Sequence, residues 1–213
     1  MHALRTSVAD ASRRLAAAGL VRGTSGNVSA RDGELVAITP TGAKLESLSA
    51  EDIAVITLSG EQQDGALAPT SEVDLHLSVY ARYDTGAVVH THAPAATALG
   101  CVVDELPCIH YEMLLLGGPV RVAPYATFGT PELAASVVAA LDGRTAALLA
   151  NHGTVTHGPD LDAAVAATEM LEWASELYAR AAALGTPRAL DAAELAAVVE
   201  AVTTRRYGTT HAV

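Results

Sequence analysis

The apolar positions of this chain fall in short blocks, separated by glycine, proline and small polar residues, that switch between helical and strand-like spacing. Leu4–Ala18 reads as a helix closed by Gly19. The stretch Gly23-Thr24-Ser25-Gly26-Asn27 then feeds a hairpin with strands Val28–Arg31 and Leu35–Thr39, turning at Asp32-Gly33. Pro40-Thr41-Gly42 forces a turn, and Ile53–Leu58 is a strand. Pro69-Thr70-Ser71 opens a helix that runs to about Arg82. Ala87–His92 is a buried strand, its Val88 and Val89 being β-branched. Short strands are expected at Leu106–Ile109 and Val120–Val122, a helix at Glu132–Leu141, and a strand pair at Thr145–Ala150 and Gly153–Thr156. Asp162–Ala183 and Ala192–Thr204 are the last two helices. The mixture lacks strict βαβ alternation, so an α/β sandwich with a largely antiparallel sheet fits better than a doubly wound parallel one.

Composition narrows this further. The chain has 213 residues, half of them hydrophobic and only 17% charged, as a compact globular protein requires. With no repeat, long linker or low-complexity tract, residues 1–213 read as a single domain. Aromatics are scarce and alanine abundant, so the core is built from Ala, Val and Leu. Large Ala-rich faces also suit subunit contacts. The net charge of −11 comes without a basic stripe, which argues against nucleic-acid binding. An anionic substrate remains compatible, because a local site can oppose the global charge. Cys101 and Cys108 are the only cysteines, as expected of a reduced cytoplasmic protein. No apolar run approaches the roughly 18 residues of a membrane span, and no signal peptide is read at the start, so no membrane partner is expected.

The chemistry concentrates at His90-Thr91-His92. On a strand, side chains at i and i+2 share a face, so two imidazoles project side by side from the end of an apolar strand. They form half of a zinc site, or simply two histidines at a strand end. His152 stands where the apolar run Ala146–Ala150 meets Gly153, and as a third imidazole it would complete a facial set with room for a substrate oxygen. Glu72 admits two readings. Beside Thr70 and Ser71 it is ordinary helix-start chemistry, and Ser71 with Asp74 fits a capping box. The same N-terminus also offers hydroxyls and N–H groups to an anion, with Glu72 over the reacting centre. Gly26-Asn27 and Thr41-Gly42 could each present N–H groups to a phosphate, although singly both read as turns. His76, one turn beyond Glu72, could touch the edge of the site; it, His110, His157 and His211 are not taken as ligands.

Assembled, these residues resemble the class II aldolase/adducin family over nearly the whole chain. The resemblance runs from Gly23-Thr24-Ser25-Gly26-Asn27-Val28-Ser29 to Tyr207-Gly208. It is carried by Ile38-Thr39-Pro40-Thr41-Gly42, Ser71-Glu72, Val88-Val89-His90-Thr91-His92, Ile109-His110-Tyr111, Pro124-Tyr125-Ala126-Thr127-Phe128-Gly129-Thr130 and Asn151-His152-Gly153, which are specific only together. It implies an α/β/α sandwich, zinc (or cobalt or manganese) on His90, His92 and His152, and Glu72 as a fourth ligand. It implies substrate phosphate at Gly26, Asn27, Thr41, Gly42, Thr70 and Ser71. It further implies a homotetramer with sites between subunits, where Tyr111 and Tyr207 reach in from the neighbour. The implied reaction splits a ketose 1-phosphate, such as L-fuculose 1-phosphate, into dihydroxyacetone phosphate and a small aldehyde, such as L-lactaldehyde. It passes through a metal-stabilised enediolate, with Glu72 as base at carbon 3 of dihydroxyacetone phosphate and Tyr111 as acid at the aldehyde oxygen when the bond forms, and the same path reversed in cleavage. Thr70 stands where serine is usual, Thr91 where asparagine is common, and Asn151 where a histidine can occur. The last two bear on the substrate pocket and leave the metal set intact.

Three alternatives stay open. A pentulose-phosphate 4-epimerase shares the retro-aldol step but usually carries aspartate at the position of Glu72. A methylthioribulose-phosphate dehydratase shares the family. An adducin-like interaction domain would keep the fold without the chemistry, which the presence of all three histidines and Glu72 disfavours.

Overall fold

The computed structural model describes residues 1–205. The N-terminal helix α1 spans His2–Ala17. Strands β1 (Asn27–Asp32) and β2 (Leu35–Ile38) form the expected hairpin. β3 (Ala54–Thr57) and β4 (Gln62–Asp64) extend it outward. Helix α2 (Val73–Arg82) leads to β5 (Ala87–Thr91) and then to a helix not anticipated from sequence, α3 (Pro94–Gly100). β6 (Glu105–Leu106), a 3-10 segment at Tyr111–Leu116, β7 (Val120–Ala123) and α4 (Pro131–Ala140) follow. β8 (Ala146–Leu149) and β9 (Thr154–Gly158) make the second hairpin, and α5 (Leu161–Leu184) and α6 (Ala192–Arg205) complete the described chain.

The strands form one nine-stranded sheet in the order β4-β3-β2-β1-β5-β9-β8-β7-β6. Every pairing is antiparallel except β7 with β8, which α4 connects. Apolar side chains fill both faces. Val28, Ala30, Ala87, Val89, Ala146 and Leu148 join α1, α3 and α5 on one face. Val36, Ile38, Val88, Ala147, Leu149 and Val155 join α2 and α4 on the other. This is the expected α/β/α sandwich with a largely antiparallel sheet.

The differences from the sequence reading are local. The helix expected to open at Pro69 begins at Val73. Thr70 N donates to Thr39 O at 3.0 Å and Pro69 bridges Pro40, which keeps that segment extended. The Ser71–Asp74 capping box does not form. Glu72 is the N-cap, with no side-chain cap bond, because its carboxylate turns toward the sheet and takes a bond from Asn27 instead. Leu106–Ile109 shortens to the two residues of β6. Beyond them the Cys108 carbonyl accepts from Leu190 N, outside the sheet. Both cysteines are free.

Candidate metal and substrate site

β5 is fully buried and lies at the middle of the sheet, with β1 on one side and β9 on the other. In register Asn27 lies opposite His90, and His90 opposite Val155. Side chains alternate along a strand, so Val88 and His90 face α2, as do Asn27 and Ser29 on β1. His92 follows two residues on, at the open end of β5.

His152 arrives from the β8–β9 turn, which is tightly nested. Asn151 takes a left-handed conformation, with φ of 54°. A Cβ on Gly153 would lie 2.3 Å from the Thr91 carbonyl oxygen and 2.9 Å from the His92 ring. Only glycine lets this turn close against β5, and that approach brings His152 to the other two imidazoles. The three rings stand 4.9–5.1 Å apart centre to centre, each pair steeply inclined. They can each present a nitrogen with all three within 4.8 Å of one another. Glu72 completes the group, with Oε2 3.2 Å from His90 Nε2 and Oε1 3.5 Å from His152 Nε2.

The donor set fits a divalent cation. His90 Nδ1 lies 2.8 Å from the Thr154 carbonyl oxygen, which can only accept. The proton therefore sits on Nδ1 and the Nε2 lone pair turns inward. That lone pair meets His92 Nε2 at 3.2 Å and the Glu72 carboxylate at the same distance. Glu72 Oε1 is buried without a hydrogen-bond partner among the described residues. The His90 lone pair, the unpartnered Glu72 oxygen and the Nε2 of His92, once its proton is displaced, converge as a donor set that suits a cation. Burial, aided by repulsion from His90 and His152, pulls the His92 pKa down to about 4, and burial lowers His152 as well. Both are thus neutral ligands at pH 7. Burial pushes the Glu72 carboxyl upward, but the Asn27 hydrogen bond and the positive charge that His90 and His152 carry only when protonated, the place a cation would take, outweigh this and hold it well below the usual carboxylate range.

Beside this group opens a cavity of about 430 Å³. Gly26, Asn27, Thr41, Gly42, Thr70 and Ser71 line it together with Glu72, His92 and His152, so the structure gathers three sequence-distant turns into one wall. At Gly26 a Cβ would come within 2.9 Å of Val21 and 3.1 Å of the His90 carbonyl oxygen, and φ is 90°. The turn thus passes directly over the end of β5. Tyr125, Phe128 and Asn151 also line it, with both aromatics about two-thirds exposed. The role of Tyr125 and Phe128 as lining was missed from sequence, although Phe128 is the chain's only phenylalanine and lies in a Gly/Thr loop. Tyr111 does not line the cavity of its own chain; its ring stacks on His110 at the head of the 3-10 segment. Tyr207 lies outside the described residues. Glu172 was also missed: its buried carboxylate accepts from Ala95 N and Ala96 N at 2.9 Å each, fixing α3 directly after His92. One of three glutamates (Glu169, Glu172 and Glu176) along an Ala-rich helix, it gives no local sign of this.

Fold and site together define a metal-site protein of the class II aldolase type. Residues 6–179 match the Class II Aldolase and Adducin N-terminal domain, and the chain belongs to that family. It is 42% identical over 200 residues to the 5-methylthioribulose-1-phosphate/5-deoxyribulose-1-phosphate aldolase of Rhodospirillum rubrum, covering 93% of this chain and 90% of that one. It is 38% identical over 200 residues to the L-fuculose phosphate aldolase of Escherichia coli, covering 92% and 93%. Among solved structures, an L-fuculose 1-phosphate aldolase superposes with a TM-score of 0.89 at 35% identity, covering 94% of this chain and 96% of that one. Among the described residues no helix is long and apolar enough to cross a membrane.

Proposed function

We propose that this protein is a divalent-metal aldolase that reversibly splits a ketose 1-phosphate into dihydroxyacetone phosphate and a short aldehyde. The observation that carries the reading is the convergence of His90, His92, His152 and the Glu72 carboxylate on one point beside a cavity walled by small-residue turns. A zinc ion held by the three imidazoles, with cobalt or manganese as substitutes, would supply Lewis-acid stabilisation of the charge that develops on the substrate oxygens. Gly26, Asn27, Thr41, Gly42, Thr70 and Ser71 would hold the phosphate through N–H and hydroxyl groups, with no lysine or arginine among the described residues of the wall. In the condensing direction Glu72, held deprotonated, would take the proton from carbon 3 of dihydroxyacetone phosphate, and in cleavage it would return that proton to the enediolate. Tyr111, and Tyr207 in the tail, would act from a neighbouring subunit of a homotetramer, Tyr111 giving a proton to the aldehyde oxygen in condensation and taking it from the carbon-4 hydroxyl in cleavage.

The aldehyde end would meet Tyr125 and Phe128, which favours a short apolar tail. Relatives named for 5-deoxyribulose 1-phosphate and 5-methylthioribulose 1-phosphate support the same kind of substrate, and those named for L-fuculose phosphate keep that sugar in the panel. The test is product analysis of the zinc-loaded protein on these three ketose 1-phosphates. Dihydroxyacetone phosphate is expected from at least one. Its absence from all three, with inversion at carbon 4 instead, would favour the epimerase. No turnover at all would favour an interaction domain.

A further inference from the structure

A run of buried polar side chains leads away from Glu72 into the space between α2 and β1. Glu72, His76 and Tyr80 recur every fourth residue on one face of α2, and Asn27 and Ser29 alternate onto the facing side of β1. All five are at most 7% exposed. Asn27 Nδ2 donates to Glu72 Oε2 at 3.0 Å. His76 Nε2 lies 2.5 Å from Asn27 Oδ1, and His76 Nδ1 lies 2.7 Å from Ser29 Oγ. Ser29 Oγ lies 2.8 Å from the Tyr80 hydroxyl.

Only one assignment of protons satisfies the whole run. A carboxylate can only accept, so the Asn27 amide must turn its nitrogen to Glu72 and its oxygen to His76. That oxygen accepts as well, so His76 must carry its proton on Nε2. His76 Nδ1 is then an acceptor, and Ser29 donates to it. The Tyr80 hydroxyl, kept protonated by burial, donates in turn to Ser29. Burial keeps His76 neutral, with its pKa drawn down to about 3.

We propose that His76 is a positioning residue: its Nε2–H holds the Asn27 amide in one orientation and, through that amide, sets the Glu72 carboxylate against the three histidines. This rests on the reading of Glu72 as the base of the site. Without the imidazole donor the Asn27 amide is free to flip, and a flipped amide would set its oxygen against the carboxylate. Groups that orient a metal ligand from behind typically change affinity or activity about 10–100-fold when removed.

The test compares wild type with His76→Leu, which removes the donor, and His76→Gln, which can return an N–H to Asn27. In zinc-loaded, folded protein, His76→Leu should lower kcat about 10–100-fold while moving KM far less, and His76→Gln should recover most of that loss. A purely structural histidine would lower thermal stability in both variants and leave kcat within about twofold; that result overturns the proposal. Two measurements do not depend on turnover. Nitrogen-15 NMR of the wild type should show His76 protonated on Nε2, and protonation on Nδ1 overturns the proposal. A crystal structure of zinc-loaded His76→Leu should show the Asn27 amide and Glu72 carboxylate displaced, and an unmoved carboxylate overturns it. If His76→Leu fails to fold, the NMR assignment and the kinetics of His76→Gln decide: a kcat far below wild type in folded His76→Gln, or an Nδ1 proton, overturns the proposal. Loss of the aldolase reading alone would appear as wild-type protein that yields no dihydroxyacetone phosphate while both turnover-independent results hold.

Discussion

His90 Nδ1 donates to the backbone carbonyl of Thr154 at 2.8 Å, and this bond directs the His90 Nε2 lone pair at His92 and Glu72. The acceptor belongs to the β5–β9 pairing itself, where Thr91 pairs with Thr154. The tautomer of the innermost imidazole is therefore set by the sheet, before any ion binds. The apoprotein should take up one zinc per chain on titration against a competing chelator. His90→Ala or His152→Ala should weaken that uptake at least about 100-fold, more than a change behind the ligands would. Wild-type protein that stays metal-free under saturating zinc would remove the site.

Glu72→Gln should separate binding from proton transfer. The amide keeps the side chain's shape and can still accept from Asn27, but it cannot serve as a base. The variant should retain zinc and a phosphate-bearing inhibitor. Exchange of the carbon-3 proton of dihydroxyacetone phosphate with solvent should fall about 10²–10⁴-fold, as read by proton NMR in deuterium oxide. Near wild-type exchange would place the base elsewhere.

Much of this arrangement was legible in the sequence, because it depends on local spacing. The i, i+2 rule puts His90 and His92 on one face, and the first hairpin and the apolar run of β5 were equally readable, although the turn falls at Gly33-Glu34, one residue on from Asp32-Gly33, because Asp32 pairs with Leu35. What was illegible depends on partners distant in the chain. β4 is Gln-Gln-Asp and wholly exposed, so no apolar alternation marks it; it forms only because β3 offers an edge. α3, with Pro, Ala, Thr, Leu and Gly, has little polar contrast, and its start is held by Glu172 from a helix 76 residues further on. The helix-start reading of Glu72 was reasonable locally. It failed at the cap because Asn27, 45 residues away, draws the carboxylate into the site.

The acid limb of stability should report His76. Its folded pKa is depressed to about 3 from the ordinary 6.5, so its contribution is intact above pH 6.5. Below that value the unfolded chain takes up a proton that the folded chain refuses, and stability falls toward pH 3 by at most about 1.4 kcal/mol per pH unit for this one group. Urea unfolding of the metal-free protein at pH 7 and pH 5 should show the loss. In His76→Gln the difference between the two pH values should shrink, and an unchanged difference would assign the acid limb to other groups.

Ser71 is exposed on the cavity wall, one residue before Glu72. Ser71→Asp would set a negative charge where the phosphate is proposed to lie. KM for ketose 1-phosphates should rise on the order of tenfold or more, since a like charge at contact distance costs about 1 kcal/mol even in water and more in a partly enclosed site. A neutral analogue should be affected far less. An equal effect on both substrates would locate the phosphate elsewhere.

Assembly is tested by complementation. Tyr111 does not line its own chain's cavity, so under the proposal that it is the acid it would act on a neighbour's site. In a closed ring of identical contacts, each site would take its metal ligands from one subunit and its tyrosine from the next. His92→Ala spoils only the first half and Tyr111→Phe only the second. Each variant alone should be nearly inactive. When the two are dissociated, mixed equally and reassembled, a site regains both intact halves if its metal subunit is the tyrosine variant and its neighbour the histidine variant. Random mixing makes that roughly a quarter of all sites. Activity should therefore climb to about a quarter of wild type, a signal neither parent can give, since no single chain in the mixture carries both intact residues. If mass spectrometry shows mixed oligomers while activity stays at the sum of the parents, Tyr111 does not work across the interface.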